Sequence, residues 1–313
     1  MEICVKHQLR LRINTNCVSF TFMAYYPNIK RYIDPTTDYG FKRLFENKQI
    51  LIGFLNAVLP PHDTVADLSY LNQEVIGGNP EGRVVIFDLH CLTQDGRTII
   101  VEMQRLPQPY FKRRMLYYAM RGFEHHVRRG DDSYEFAPVY VVAVVDFTLF
   151  DESPNFAHRF TLQSDGGELF SDVLQLHFLE LKKYSMSQSP ETAELSALEQ
   201  WTAALKDMPV LDGIPDWVTD EDIKRAFEVS EVANLSPEER SKFERAIRDD
   251  IDFRGQVLQQ YIYGKMKGLR EGREEGREES RRDIVAGLID KGYDAPAIAN
   301  LLGWPLDEVK RFA

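Results

Sequence analysis

The sequence predicts an α/β fold, a mixed sheet flanked by helices, followed by an α-helical C-terminal region. Three observations predict it. Two short apolar runs, Ile86 to Cys91 and Ile99 to Arg105, are joined through Thr93-Gln94-Asp95-Gly96-Arg97, a strand–turn–strand pattern. A nearly continuous apolar run rich in β-branched residues, Phe136 to Phe150, reads as a buried central strand. Amphipathic helical patterns precede and follow these strands, and the chain turns wholly helical beyond about residue 187.

The elements follow in order. Residues 1 to 23 carry mixed charge and no cleavage pattern, so they do not read as a signal peptide. They are expected to be an N-terminal extension, disordered or lying ahead of a true start at Met23. Asp38 to Phe45 opens a helix, with Asp38 as a candidate N-cap and Phe41, Leu44, Phe45, Ile52, Phe54, Leu55 and Val58 on a wide apolar face. Leu71 to Val75 is a short strand in which Glu74 reads as a surface residue. Pro107 and Pro109 end the strand that contains Glu102, and a helix should start near Tyr110. Phe156–Gln163 and Leu174–Tyr184 are further strands, and Asp146 reads as turn-forming. Ser185 to Thr192 is polar and linker-like, which divides the chain into a domain at 24–186 and a helical region at 187–313. In that region Glu191–Lys206 is amphipathic, and Ser236 with Glu239 forms a capping box. Gly264, Gly268, Gly272 and Gly276 recur every four residues along a charged helix. Each glycine costs a helix about 1 kcal/mol relative to alanine. The row is therefore expected to allow a close helix–helix approach, as in a homodimer. Ile284–Phe312 resembles a small helix-turn-helix unit packed by Ile298, Leu301, Leu302 and Val309. It is too acidic to read DNA, and a packing or partner role is expected.

Each of the two apolar runs carries one carboxylate, Asp88 and Glu102. A buried carboxylate in a strand costs several kcal/mol, of order ~3, unless something compensates it. The turn decides whether the two meet. A two-residue loop at Asp95-Gly96 sends them to opposite faces. A three-residue loop, Gln94-Asp95-Gly96, pairs Thr93 with Arg97 and sets Asp88 opposite Glu102. Such loops commonly end in a glycine in the left-handed region, which favours the second register. Two facing carboxylates ask for a shared cation. Asp88, Glu102 and the Met103 carbonyl form a minimal oxygen set for Mg2+ or, in its place, Mn2+. Such a site fits phosphodiester hydrolysis. Gln104 shares the Glu102 face and could orient a water or a phosphate, though it can be neither a charged electrophile nor a base.

With these residues in place, the chain resembles a known family. Arg31 to Leu59, Tyr70 to Gly78, Phe87 to Cys91, Val101 to Arg105 and Tyr110 to Arg121 are similar, in order and spacing, to the Rpn recombination-promoting nucleases, also described as transposases, of the PD-(D/E)XK nuclease superfamily. The resemblance runs from about Tyr32 to about Phe147. It implies an αβββαβ core, Mg2+-dependent DNA cleavage and a link to recombination or mobile elements. It sets Asp88 as the superfamily aspartate and Glu102-Met103-Gln104 as its D/E-x-K, with glutamine replacing lysine. It also implies that Asp38 and Lys42 lie near the active site.

Other residues suit a polyanion on their own chemistry. No acid occurs between Glu102 and Glu124, while Arg105, Lys112, Arg113, Arg114 and Arg121 alternate there with Tyr110, Phe111, Tyr117 and Tyr118. Arg114, Tyr117, Tyr118 and Arg121 fall on one helical stripe. Arg105, Arg113, Arg114, Tyr117 and Arg121 are the candidate phosphate contacts. The net charge of -11 seems to oppose this, but residues 1 to 130 hold 17 basic against 12 acidic residues, and the remainder holds the acidic excess. Three cysteines without paired spacing give no zinc motif or disulfide framework, and a cytoplasmic home is expected. No apolar run is long enough to span a membrane. The expected function is a metal-dependent DNA endonuclease. The alternatives are an inactive nucleic-acid-binding or regulatory relative and an oligomerisation protein.

Overall fold

The computed structural model describes residues 31–75, 85–123, 137–185 and 194–313. Residues 1–30, including Met23, and the linker-like stretch after Ser185 up to 193 lie outside the described residues. The chain divides into two units, one ending at Phe243 and one running from Glu244 to Ala313.

In the first unit, α1 (Asp38–Phe45) and α2 (Lys48–Val58) lie where one long apolar face was expected. Asn47 divides them, because its side chain accepts from Gln49 N–H and Ile50 N–H and so starts a new helix. The six-stranded sheet contains β1 (Leu68–Tyr70), β4 (Leu89–Thr93), β5 (Thr98–Gln104), β6 (Val139–Val145), β7 (Ala157–Gln163) and β8 (Leu169–Glu180), in the order β1-β4-β5-β6-β8-β7. The β5–β6 and β6–β8 pairs are parallel and the others antiparallel. A separate two-stranded ladder joins β2 (Glu74–Val75) to β3 (Val85–Ile86). The central strand expected from the β-branched run is β6, buried along its whole length.

Alternation along β6 feeds two cores. Val142 and Val144 face Phe41, Phe45, Phe54, Trp201 and Phe227, so α1, α2, α4 (Ala197–Asp207) and α5 (Glu221–Ser230) cover one side. Val139, Val141, Ala143 and Val145 face Phe111, Met115 and Ala119 of α3 (Phe111–Phe123) on the other. Helices α4 and α5 thus share the first core. At Gly122 α3 comes so close to the sheet that a Cβ would stand 2.7 Å from Val139 Cγ1.

A long helix, α6 (Pro237–Ile289), begins in the first unit, and most of its length belongs to the second. The Ser236–Glu239 capping box starts it: Ser236 N–H donates to Glu239 Oε2 at 2.8 Å and Glu239 N–H to Ser236 Oγ at 3.3 Å. A Cβ at Gly264, Gly268, Gly272 or Gly276 would meet no atom within 4 Å. The second unit also holds α7 (Ala295–Leu302) and α8 (Leu306–Phe312). Val285, Ile298, Val309 and Phe312 form its core. Leu301, expected in that core, is instead exposed. No described helix is long and apolar enough to cross a membrane.

Candidate active site

The β4–β5 turn takes the three-residue form. Thr93 N–H donates to the Arg97 carbonyl at 2.9 Å, and Gly96 adopts φ 88°, a conformation that disfavours side-chain-bearing residues. Leu92 then pairs with Thr98 and Leu89 with Val101, so the register sets Asp88 across from Glu102. Asp88 itself sits in a bend one residue before β4 rather than inside the strand. The bend does not part the pair, because two hydrogen bonds cross it. Asp88 N–H donates to Glu102 Oε1 at 3.0 Å, and Met103 N–H donates to Asp88 Oδ2 at 2.8 Å. Each carboxylate is therefore oriented by a backbone N–H, and the second oxygen of each takes no hydrogen bond from any described residue.

Electrostatics make the pair costly. Glu102 is only 4% exposed. Burial, then the neighbouring Asp88 charge, pushes the Glu102 carboxyl up to about 8, against a partial offset from the Asp88 N–H and from the Arg114 and Lys42 charges. Burial also raises the Asp88 carboxyl, with the Asp38 charge adding to it; Met103 N–H, Lys42 and Arg114 oppose. The charges that act on the pair come from Asp38 and Lys42 of α1 and from Arg114 of α3.

Lys42 pairs with Asp38 at 2.8 Å. The expected cap at Asp38 belongs to Thr37, whose Oγ1 accepts from Gly40 N–H at 3.0 Å, while Asp38 is the first residue of the helix. An aspartate at that position still suits the positive end of the helix dipole. Gln104 shares the face of Glu102, donates through Nε2 to the Leu106 carbonyl at 2.9 Å and accepts from Arg114 Nη2 at 2.6 Å.

The candidate phosphate contacts separate. Arg113 is exposed, with its guanidinium 5.7 Å from the ring of Tyr110. Tyr117 is exposed, while Tyr118 of the same stripe packs edge-on against Phe87. Arg105 binds Asp34 at 3.2 Å. Arg121, on the same stripe, is buried at 5% exposure. Glu74 is exposed, as expected. Asp146 N–H donates to the Gln104 carbonyl at 3.0 Å, and burial raises its carboxyl. Sequence reasoning missed Asp34 and Gln108, which hold Arg105 and Arg114; neither has a pattern that sets it apart from an ordinary loop residue.

Among the described residues no group of three or more His, Cys, Asp or Glu side chains is gathered to hold a metal. Two carboxylates are nonetheless the usual protein share for a small hard cation that keeps water and substrate phosphate as its other partners. The donor set fits such a cation: both side chains offer oxygen, each keeps one oxygen unspent, and their mutual repulsion is the cost that a cation would relieve.

No curated protein and no solved structure matches the chain. A family model for PD-(D/E)XK nuclease family transposases matches residues 35–258, the stretch that contains the whole sheet, the crossed carboxylates and the helices packed on them. The chain belongs to the PD-(D/E)XK nuclease family of transposases.

Proposed function

We propose that the protein is a metal-dependent DNA endonuclease that hydrolyses phosphodiester bonds in recombination or mobile-element turnover. The observation that carries this reading is the reciprocal brace in which Asp88 and Glu102 each accept a backbone N–H and keep an oxygen to spare. Asp88, Glu102 and the Met103 carbonyl would hold Mg2+, or Mn2+ in its place. When bound, such an ion lowers the pKa of a coordinated water and offsets charge on phosphate oxygens. The chain's own residues do the rest. The β4–β5 hairpin fixes both carboxylates, and Arg113 and Tyr117 lie exposed where a strand backbone could rest. Asp38 and Lys42 border the pair from α1.

Nicking of supercoiled plasmid in Mg2+ tests the reading. Wild type should nick, and Asp88→Ala should lose about 1,000-fold or more in rate. Equal nicking by both would refute it. A second reading is favoured by one observation, the glutamine at 104 where the wider superfamily pattern has lysine. On that reading the chain binds DNA without cutting, and wild type and Asp88→Ala would bind alike with no metal requirement.

A further inference from the structure

Gln104 of β5 accepts a hydrogen bond from Arg114 of α3. Gln104 follows Glu102 by two residues on one sheet face, and α3 crosses that face. The Gln104 amide is held at both ends, by the Leu106 carbonyl and by Arg114 Nη2, so its oxygen is fixed toward the guanidinium. A second amide oxygen, Gln108 Oε1, accepts from Arg114 Nη1. The Phe111 and Tyr118 rings flank the guanidinium with centroids at 5.0 Å and 5.8 Å.

Every one of these partners is neutral. Among the described residues Arg114 makes no ion pair. The other cations near the carboxylates differ. Lys42 is matched by Asp38 and stands on a flexible, partly exposed stem, and Arg105 is matched by Asp34. Arg114 is thus held still without being neutralised, and its charge acts on both Asp88 and Glu102. A cation fixed by amides keeps its full field for whatever anion enters, and it need not reorganise when that anion gains charge.

We infer that Arg114 stabilises the charge that develops on the phosphate during strand cleavage, and that Gln104 is the residue that positions it. The inference rests on the nuclease reading. In hydrolysis the oxygen of water bonds to phosphorus and the phosphorus–sugar oxygen bond breaks; one water proton is lost and the leaving alkoxide gains one. Negative charge builds on the phosphate oxygens between those events, and a planar guanidinium fork matches their geometry. Arg114 then acts on the substrate, while Gln104 acts only through Arg114.

The test is steady-state nicking of supercoiled plasmid in Mg2+ by the full chain, comparing wild type with Arg114→Met, Gln104→Ala and the double variant Gln104→Lys/Arg114→Met. Arg114→Met should lower kcat by about 100-fold with KM changed by less than about threefold. Gln104→Ala should lower kcat by about tenfold, again with little change in KM. The double variant should recover about tenfold over Arg114→Met, because lysine at 104 restores a cation on the same face. A rise in KM at constant kcat, or no recovery in a double variant that melts like wild type, would overturn the inference. If Arg114→Met does not fold, an unchanged kcat in Gln104→Ala overturns it alone. Loss of nicking by wild type itself would instead strike the nuclease reading, and the role of Arg114 with it.

Discussion

At the scale of residues, Glu102 bears the main energetic conflict. Its carboxyl is raised in the fold to about 8 against an ordinary value near ~4.5, so the folded state holds a proton that the unfolded chain has released. The associated stability is complete below the unfolded value and is lost as pH rises through the folded one. Metal-free protein in EDTA should therefore lose stability as pH rises from about 4.5 to 8. Glu102→Gln should flatten that decline, and thermal melts across the range would read it. A decline that persists unchanged in Glu102→Gln would assign it to another group. His177 works at the acid end. Burial lowers it to about 4, so stability should fall as pH drops from about 6.5 toward 4, and His177→Gln should shallow that limb. The Asp88–Glu102 pairing was legible because a period-two register and one turn residue decide it. The role of Gln104 was half legible: its face follows from alternation, but its bond to Arg114 depends on where α3 crosses. The burial of Arg121 was not legible, because helical spacing defines a stripe and not how exposed each of its members is.

At the scale of elements, the β4–β5 hairpin sets the site. Gly96 holds φ 88°, and a Cβ there would have room, with Ala137 Cβ no closer than 3.8 Å. Gly96→Ala should therefore cost about 1 kcal/mol through backbone conformation alone, read as a lower melting temperature with the register kept. Tyr110 is the opposite case. It carries a side chain at φ 63°, immediately before α3, and is largely exposed. Tyr110→Gly should relieve up to about 1 kcal/mol of strain while removing the ring beside Arg113. If Tyr110 helps to seat DNA, KM for plasmid should rise even as the melting temperature does. The separate helices α1 and α2 were hidden in the sequence because one apolar face continues across both. The break lies in Asn47, whose side chain satisfies the first N–H groups of α2. Asp88 lies in a bend and not a strand, and no local pattern before it signals that.

At the scale of the whole molecule, basic residues outnumber acidic ones up to residue 130 and the acidic excess lies after it. Binding to DNA should be modest and should weaken steeply with salt, as log affinity against log salt concentration will report. The central β6 was legible from its long apolar run. The point where the first unit ends was not, because α4 and α5 bury the same kinds of residue as an independent bundle would, and only packing shows that Trp201 and Phe227 join the sheet's core. The glycine row of α6 faces open space, so nothing described within the chain uses its small size. If it serves association between copies, changing all four glycines to alanine should stiffen the helix yet lower the dimer fraction in sedimentation equilibrium. An unchanged dimer fraction would remove that role.

The most direct measurement is anomalous diffraction from a crystal soaked in Mn2+. The account predicts a peak between Asp88 and Glu102, at about 2.2 Å from one oxygen of each, with the backbone N–H bonds retained on the others. Saturating Mn2+ that leaves this position empty, with both carboxylates unmoved, would contradict it.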